Sequence, residues 1–355
     1  TDAWQFVRTM VDDLTRTIEE DAETERERLE GLRVLGRITA LCAELSLDVD
    51  VDDPWFFSMN SEARLVGGPN PDGEYHLAMI DGTRRYRVSG LRGTSAYLGF
   101  QVLAGRGLTP RRMAAYVSDG DLEVDDDGRF SFVLAPARPT QQESDGDRWV
   151  ELPEDASAIV VRQYIADRTR ETVAELAIAA LDPPGSPPEL TDAALAEQLT
   201  AMAWTMAKLA TLHRTIRPDL LTTPNHLATS EAADLGAADT TPDNLYMLGT
   251  FRLDPGEALV VDLVPPGTRY WSVTLENIWH ECIDPRRRRS SITNAGAVAR
   301  RDGTVRIVIA ASDPGADNWL DTGGRHRGFV TVRWLDNPDP PPVTTTLSAL
   351  SEIAG

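Results

Sequence analysis

Side chains able to move protons and hold polar ligands are concentrated between Trp271 and Arg327: Trp271, Glu276, Asn277, Trp279, His280, Glu281, Cys282, the run Arg286 to Arg289, Asn294 and Arg325-His326-Arg327. Trp271-Ser272-Val273-Thr274-Leu275 alternates as a strand. Continued through Glu281, that alternation sets Glu276, Ile278 and His280 on one face and Asn277, Trp279 and Glu281 on the other. An imidazole and a carboxylate on one face can share proton transfer, because histidine titrates near neutrality and burial raises a glutamate toward it. Glu276, His280, Glu281 and His326 are therefore the catalytic candidates. Trp271, Trp279, Asn277 and Arg325 are candidate substrate contacts, joined by Asp243, Asn244 and Tyr246 of the Pro242-Asp243-Asn244-Leu245-Tyr246 motif. His280, His326 and Glu276 would also make a His/His/carboxylate metal set, but no HExxH helix supports it, so no metal and no cofactor is assigned. Arginines 286 to 289 read first as a solvated charge face, with an anionic ligand or partner as the sharper reading.

The elements that must position these groups come twice. The first fifty residues read as helical, with Leu35, Ile38, Cys42 and Leu45 forming one apolar stripe. A second helix begins at a Thr191 cap and repeats Leu195, Leu199, Met202, Met206, Leu209 and His213 at spacings of three and four. The Pro/Gly run within 181–190 separates the two halves, 1–180 and 191–355. After each helical stretch come short strand-like runs with turn residues between them, which predicts antiparallel sandwiches.

The halves also match motif by motif and in the same order. Ser61-Glu62-Ala63 pairs with Ser230-Glu231-Ala232, Pro71-Asp72 with Pro242-Asp243, and Arg85-Tyr86 with Arg269-Tyr270. Further on, Gly128 to Ala135 pairs with Gly303 to Ala310, Asp147-Arg148-Trp149 with Asp317-Asn318-Trp319, and Val161-Arg162 with Val332-Arg333. An internal duplication follows. The predicted fold is α+β and predominantly β: two similar antiparallel β-sandwich halves, each preceded by amphipathic helices. Features needed for folding should recur in both halves, so the residues peculiar to the second half become the site suspects.

Composition narrows the classes. The 355 residues hold 56 Asp+Glu against 35 Lys+Arg, a formal charge of −21 that repels nucleic-acid backbones and anionic membranes. Lys208 is the single lysine, so most amine chemistry is excluded and anion recognition falls to arginine. Two cysteines are too few for a disulfide framework and fit a reducing cytoplasm. No apolar run reaches about 18 residues, and Thr1 to Met10 carry no basic-then-apolar signal pattern. Dinucleotide, P-loop and α/β-hydrolase motifs are missing, and the Asp125-Asp126-Asp127-Gly128 turn lacks the glutamate of a calcium loop.

Three segments of the second half, Pro266 to Leu275, Asp302 to Ile309 and Asp313-Pro314-Gly315-Ala316-Asp317-Asn318-Trp319-Leu320, resemble the bacterial domain of unknown function 1214. The likeness spans Asp243 to Leu335, and the first half looks like a divergent partner. The resemblance implies a jelly-roll-like β-sandwich and a bacterial origin; it implies no reaction. Trp279-His280-Glu281-Cys282 and the arginine run depart from that family's pattern. The expectation is a soluble cytoplasmic enzyme acting on a carbohydrate-like or other polyhydroxylated small molecule by hydrolysis or elimination. The alternatives are a non-catalytic binding or scaffold protein and a metal-dependent enzyme using His280 and His326. A glycan ligand and a homo-oligomer are compatible with the sequence; nucleic-acid and membrane partners are not expected.

Overall fold

The computed structural model describes residues 2–105, 109, 111–141, 147–185, 189–231, 235, 240–336, 339 and 342–353. Ala232 and residues 186–188, part of the sequence-drawn linker, lie outside this set. Helix α1 spans Asp2–Asp21 and buries Val7, Leu14 and Ile18. In α2 (Glu25–Leu47), the Thr24 side chain caps the Glu27 N–H at 3.2 Å, while the Glu27 carboxylate reaches back to the Glu23 N–H at 2.7 Å. Of the predicted stripe, Leu35, Ile38 and Cys42 are buried and Leu45 is half-buried. Helix α3 (Asp192–Ala210) takes Thr191 as its cap and buries Leu199, Met202 and Met206, leaving Lys208 exposed. Among the described residues no helix is long and apolar enough to cross a membrane.

The chain forms two compact units. The first comprises Thr1–Ser61, Glu74–Tyr164 and Glu171–Leu209, the second Glu62–Gly73, Ile165–Arg170 and Ala210–Gly355. These differ from halves drawn along the chain in three pieces: α3 falls in the first unit, and two segments from the first half fall in the second.

In the first unit, β1 (Phe57–Ser58), β2 (Gly73–Met79), β4 (Tyr97–Ala104), β5 (Arg112–Ser118) and β8 (Ala156–Tyr164) form one sheet, ordered β1-β2-β8-β4-β5. Its companion sheet takes β3 (Tyr86–Leu91), β6 (Arg129–Ala135), β7 (Arg148–Glu151) and β9 (Glu175–Ala180), ordered β7-β6-β3-β9. Phe100, Phe130 and Phe132 fill the core of this unit in edge-on contact.

The second unit repeats that plan. Strands β10 (His226–Ser230), β11 (Asn244–Arg252), β13 (Trp271–Glu276), β14 (Ser291–Thr293) and β17 (Arg327–Leu335) are ordered β10-β11-β17-β13-β14. Strands β12 (Glu257–Leu263), β15 (Val305–Ala310), β16 (Trp319–Asp321) and β18 (Val343–Ala349) are ordered β16-β15-β12-β18. Helix α4 (Leu212–Thr215) precedes the sheets, and α5 (Leu350–Ile353) follows them. A parallel pairing also recurs, β6 with β7 and β15 with β16. The fold is thus predominantly β, with two similar halves.

What positions the site is the alternation along β13 and β17. Trp271, Val273 and Leu275 join Val330, Val332 and Trp334 in the sandwich core. Their neighbours point the other way, and by register Ser272 stands beside Arg333, Thr274 beside Thr331 and Glu276 beside Phe329. This second face is polar yet buried, with Ser272, Thr274 and Glu276 fully inaccessible. Burying hydroxyls and charges is costly unless each finds a partner, so the network on this face must be specific.

Candidate active site

Glu276 ends β13, and His280 reaches it through a turn rather than along a strand. Asn277 closes that turn: its side-chain oxygen accepts from the N–H groups of Trp279 (3.0 Å) and Glu281 (3.1 Å), and its own N–H donates to the Glu281 carbonyl at 2.8 Å. Glu276 then pairs with Cys282 across the closed loop. His280 takes a left-handed φ of 54°, a conformation that costs a non-glycine residue about 1–3 kcal/mol. The continued strand expected from the sequence is thus replaced by an Asn-closed turn, and the pairing of Glu276 with His280 arises from the turn geometry.

The imidazole lies on the Phe329 ring, centroids 4.0 Å apart, and its Nδ1 sits 2.8 Å from Glu276 Oε2. Thr331 Oγ1 donates to the other carboxylate oxygen at 3.0 Å. His280 Nε2 is buried and has no hydrogen-bond partner among the described residues. Burial pushes the Glu276 carboxyl upward, but the His280 hydrogen bond and charge, the Arg333 charge and the Thr331 hydroxyl outweigh it and hold Glu276 below its ordinary value.

A segment from the first third of the chain covers this face. The Gly68 N–H donates to the His280 carbonyl at 2.9 Å, and Arg333 Nη2 donates to the Gly68 carbonyl at 2.9 Å. Upstream, the Cys282 N–H donates to the Leu65 carbonyl at 3.0 Å. Downstream, Asn70 Nδ2 donates to the Tyr270 hydroxyl at 2.6 Å and Ser291 Oγ to the Asp72 carboxylate at 2.7 Å. Burial pushes Asp72 up despite Ser291, Arg168 and Arg333, and burial with the Asp72 charge pushes the Tyr270 phenol up. Burial also drives the Cys282 thiol well up, which leaves it an inert thiol rather than a nucleophile.

The other expected residues are dispersed. Glu281 accepts from Asn277 Nδ2 at 3.2 Å and so holds the turn. Trp279 is buried with its ring edge-on to His213, 4.9 Å between centroids. Trp271 packs in the sandwich core 5.8 Å from Trp334, away from the polar face, so neither tryptophan presents a ring for stacking a sugar. Tyr246 stands beside Arg333 on the polar face, the guanidinium 6.0 Å from its ring, with its hydroxyl accepting from Asn244 Nδ2 at 3.3 Å. Asp243 holds the strand end, its carbonyl accepting from the Asp336 N–H at 2.9 Å. His326 and Arg325 lie half-buried in the turn before β17, where Arg325 donates to the Thr322 carbonyl. Among the described residues no three His, Cys, Asp or Glu side chains are grouped to hold a metal ion, so Glu276, His280 and His326 do not assemble as a ligand set. The arginine run is engaged within the unit, Arg287 with Asp284 (3.2 Å), Arg288 with Asp321 (2.7 Å) and Arg289 with the Asp317 carbonyl.

Sequence reasoning missed Thr331, Arg333 and the 62–73 segment. The first unit shows what the second changed. There Gly99 pairs with Arg162, Gln101 with Val160 and Leu103 with Ala158, the registers that in the second unit hold Ser272 with Arg333, Thr274 with Thr331 and Glu276 with Phe329. The arginine is common to both, whereas glutamate and threonine stand where the first unit has leucine and valine.

Residues 258–339 match the family described as protein of unknown function (DUF1214). That stretch is less than a quarter of the chain, and over it the sequence is similar to DUF1214. The match takes in Glu276, His280, Thr331 and Arg333 and leaves out the covering segment. The crystal structure of an uncharacterized protein from Burkholderia cenocepacia is similar at a TM-score of 0.92 and 29% identity, over 99% of this chain and 97% of that one. The VPA0106 protein from Vibrio parahaemolyticus shares the fold at a TM-score of 0.51 and 13% identity, over 89% of this chain and 98% of that one. No curated protein matches the sequence.

Proposed function

We propose that the second unit is an acid–base catalyst that cleaves a polyhydroxylated, carbohydrate-like substrate by hydrolysis or elimination, with His280 Nε2 as the proton-exchanging atom. One observation carries this reading: Nδ1 is held by Glu276 while Nε2, also buried, has no partner among the described residues. A carboxylate held ionised on Nδ1 fixes the tautomer and ring orientation, so the lone pair sits at Nε2, where a substrate proton would be received. Glu276 is the orienting group and Thr331 fixes its other oxygen. Arg333 supplies positive charge for a developing anion on the same face. Glu281 belongs to the turn, and substrate contacts come from the hydroxyl-bearing face of β11, β13 and β17 instead of the tryptophans. A reducing cytoplasmic setting is part of this reading, supported by two buried cysteines that form no disulfide among the described residues.

The test is turnover of a panel of nitrophenyl glycosides, for hydrolysis, and oligo-uronates, for elimination. His280→Ala and Glu276→Gln should abolish turnover while retaining cooperative unfolding. A wild-type protein inert across the panel, or a His280→Ala variant with full turnover, rejects the reading.

A further inference from the structure

The dyad is buried and the 62–73 segment lies against it, and the way the segment is fastened says what would displace it. Its ends are pinned on either side of the site, at Leu65 by Cys282 and at Asn70 and Asp72 by Tyr270 and Ser291. The span between them is Gly67-Gly68-Pro69. Both glycines adopt left-handed φ, 86° and 69°, and the span is half-buried. A β-carbon on Gly68 would stand 3.6 Å from Glu276 Oε2 and 3.9 Å from His280 Nδ1, so Gly68 rests directly on the dyad. The same residue donates to the His280 carbonyl and accepts from Arg333. Any group that takes the place of Gly68 therefore meets Arg333 together with Glu276 and the Nδ1 side of His280.

We propose that Gly67-Gly68-Pro69 is a lid whose Gly68 carbonyl occupies, on Arg333, the position of a substrate carboxylate. The naming of that occupant as substrate rests on the function proposed above and narrows its substrate class to acidic ones such as uronates. The chemistry is a competition for one guanidinium. A carbonyl is a neutral acceptor, whereas a carboxylate forms a charge-assisted bond roughly twice as strong and can accept two parallel N–H groups. A carboxylated ligand can thus displace the lid peptide where a neutral one of equal size cannot. The pinned ends keep the sheet in place while the middle lifts, which breaks the two Gly68 bonds and the 3.3 Å bond from Cys282 Sγ to the Pro69 carbonyl.

Hydrogen exchange on the full chain, read by mass spectrometry over peptides spanning 62–73, tests this with acetate and its neutral isostere acetamide as probes. In the untreated protein the Gly68 and Asn70 amides should exchange ahead of those in β13 and β17. Acetate should speed Gly68 exchange roughly ten-fold, the size of one charge-assisted hydrogen bond, and acetamide should leave it unchanged. Arg333→Gln should exchange fast from the outset and ignore acetate. Lid amides that exchange in step with β13 and β17, or equal effects of acetate and acetamide on the wild-type protein, overturn the proposal, and neither outcome depends on the variant folding. Turnover is not read here, so a lid that responds to acetate in a protein whose His280→Ala variant keeps full activity separates the two claims.

Discussion

Thr331 Oγ1 donates a 3.0 Å hydrogen bond to Glu276 Oε1, the carboxylate oxygen that His280 does not use. Two donors from neighbouring backbone elements therefore fix one carboxylate that the strand alternation has buried. Thr331→Val removes the hydroxyl while keeping the side chain's shape, leaving an underbonded buried oxygen at a cost of about 1–3 kcal/mol. Glu276 is held below its ordinary value of 4.5. Its contribution to stability is therefore present above the ordinary glutamate range and is lost as pH falls through the lowered folded value. Urea titrations at several pH values should show the Thr331→Val penalty in full near neutrality and shrinking in acid. A penalty independent of pH would mean that the hydroxyl serves something other than the ionised carboxylate.

Asp72 should behave in the opposite sense. Burial raises its carboxyl above the ordinary value of 3.8, outweighing Ser291, Arg168 and Arg333. The folded state therefore prefers the protonated form, and that stability is complete below the unfolded value and lost as pH rises through the folded one. Asp72→Asn keeps an oxygen for Ser291 Oγ and discards the buried charge. Thermal melts should show the variant gaining stability over wild type at neutral pH and gaining none in strong acid.

The sequence alone made the two-fold scaffold legible, because strand alternation and turn residues are local signals and the motif pairs fall in one order. It also pointed to Glu276 and His280, although through an alternating strand where the chain makes an Asn277 turn. The covering segment was illegible: Gly68 meets Arg333 across more than half the chain, and no periodicity encodes a contact between a glycine pair and a distant strand. Arg333 escaped because the comparison of the halves discounted residues present in both, and Arg162 is its counterpart. The same period-two rule that proposed the site already placed Trp271 with Val273 and Leu275, on the face opposite Glu276.

That placement separates two roles for Trp271. As part of the sandwich core beside Trp334, it should cost about 3–5 kcal/mol when replaced by Ala, through lost burial and an unfilled cavity. Trp271→Phe keeps most of that packing. It should therefore retain stability to within about 1.5 kcal/mol and bind any substrate as the wild type does. Weakened substrate binding by Trp271→Phe, in a variant that melts normally, would return this ring to the site.

Asn277 is the residue on which the dyad's geometry hangs, since its side-chain oxygen serves two N–H groups and its Nδ2 reaches Glu281. Asn277→Ala strips those two backbone donors of their acceptor inside a buried loop and should cost about 2 kcal/mol or more. With the turn relaxed, His280 loses the turn that holds its left-handed φ, and the imidazole should leave Glu276 as well. Asn277→Asp retains both acceptor bonds but sets a second carboxylate against Glu281, only 3.2 Å from the replaced nitrogen. The Ala variant should therefore be destabilised at every pH, whereas the Asp variant should approach wild type in acid and fall away from it as pH rises and the two carboxyls ionise. Imidazole nitrogen NMR shifts of His280 then report the dyad directly: a wild-type-like shift in Asn277→Ala would show that Glu276 holds the ring without help from the turn.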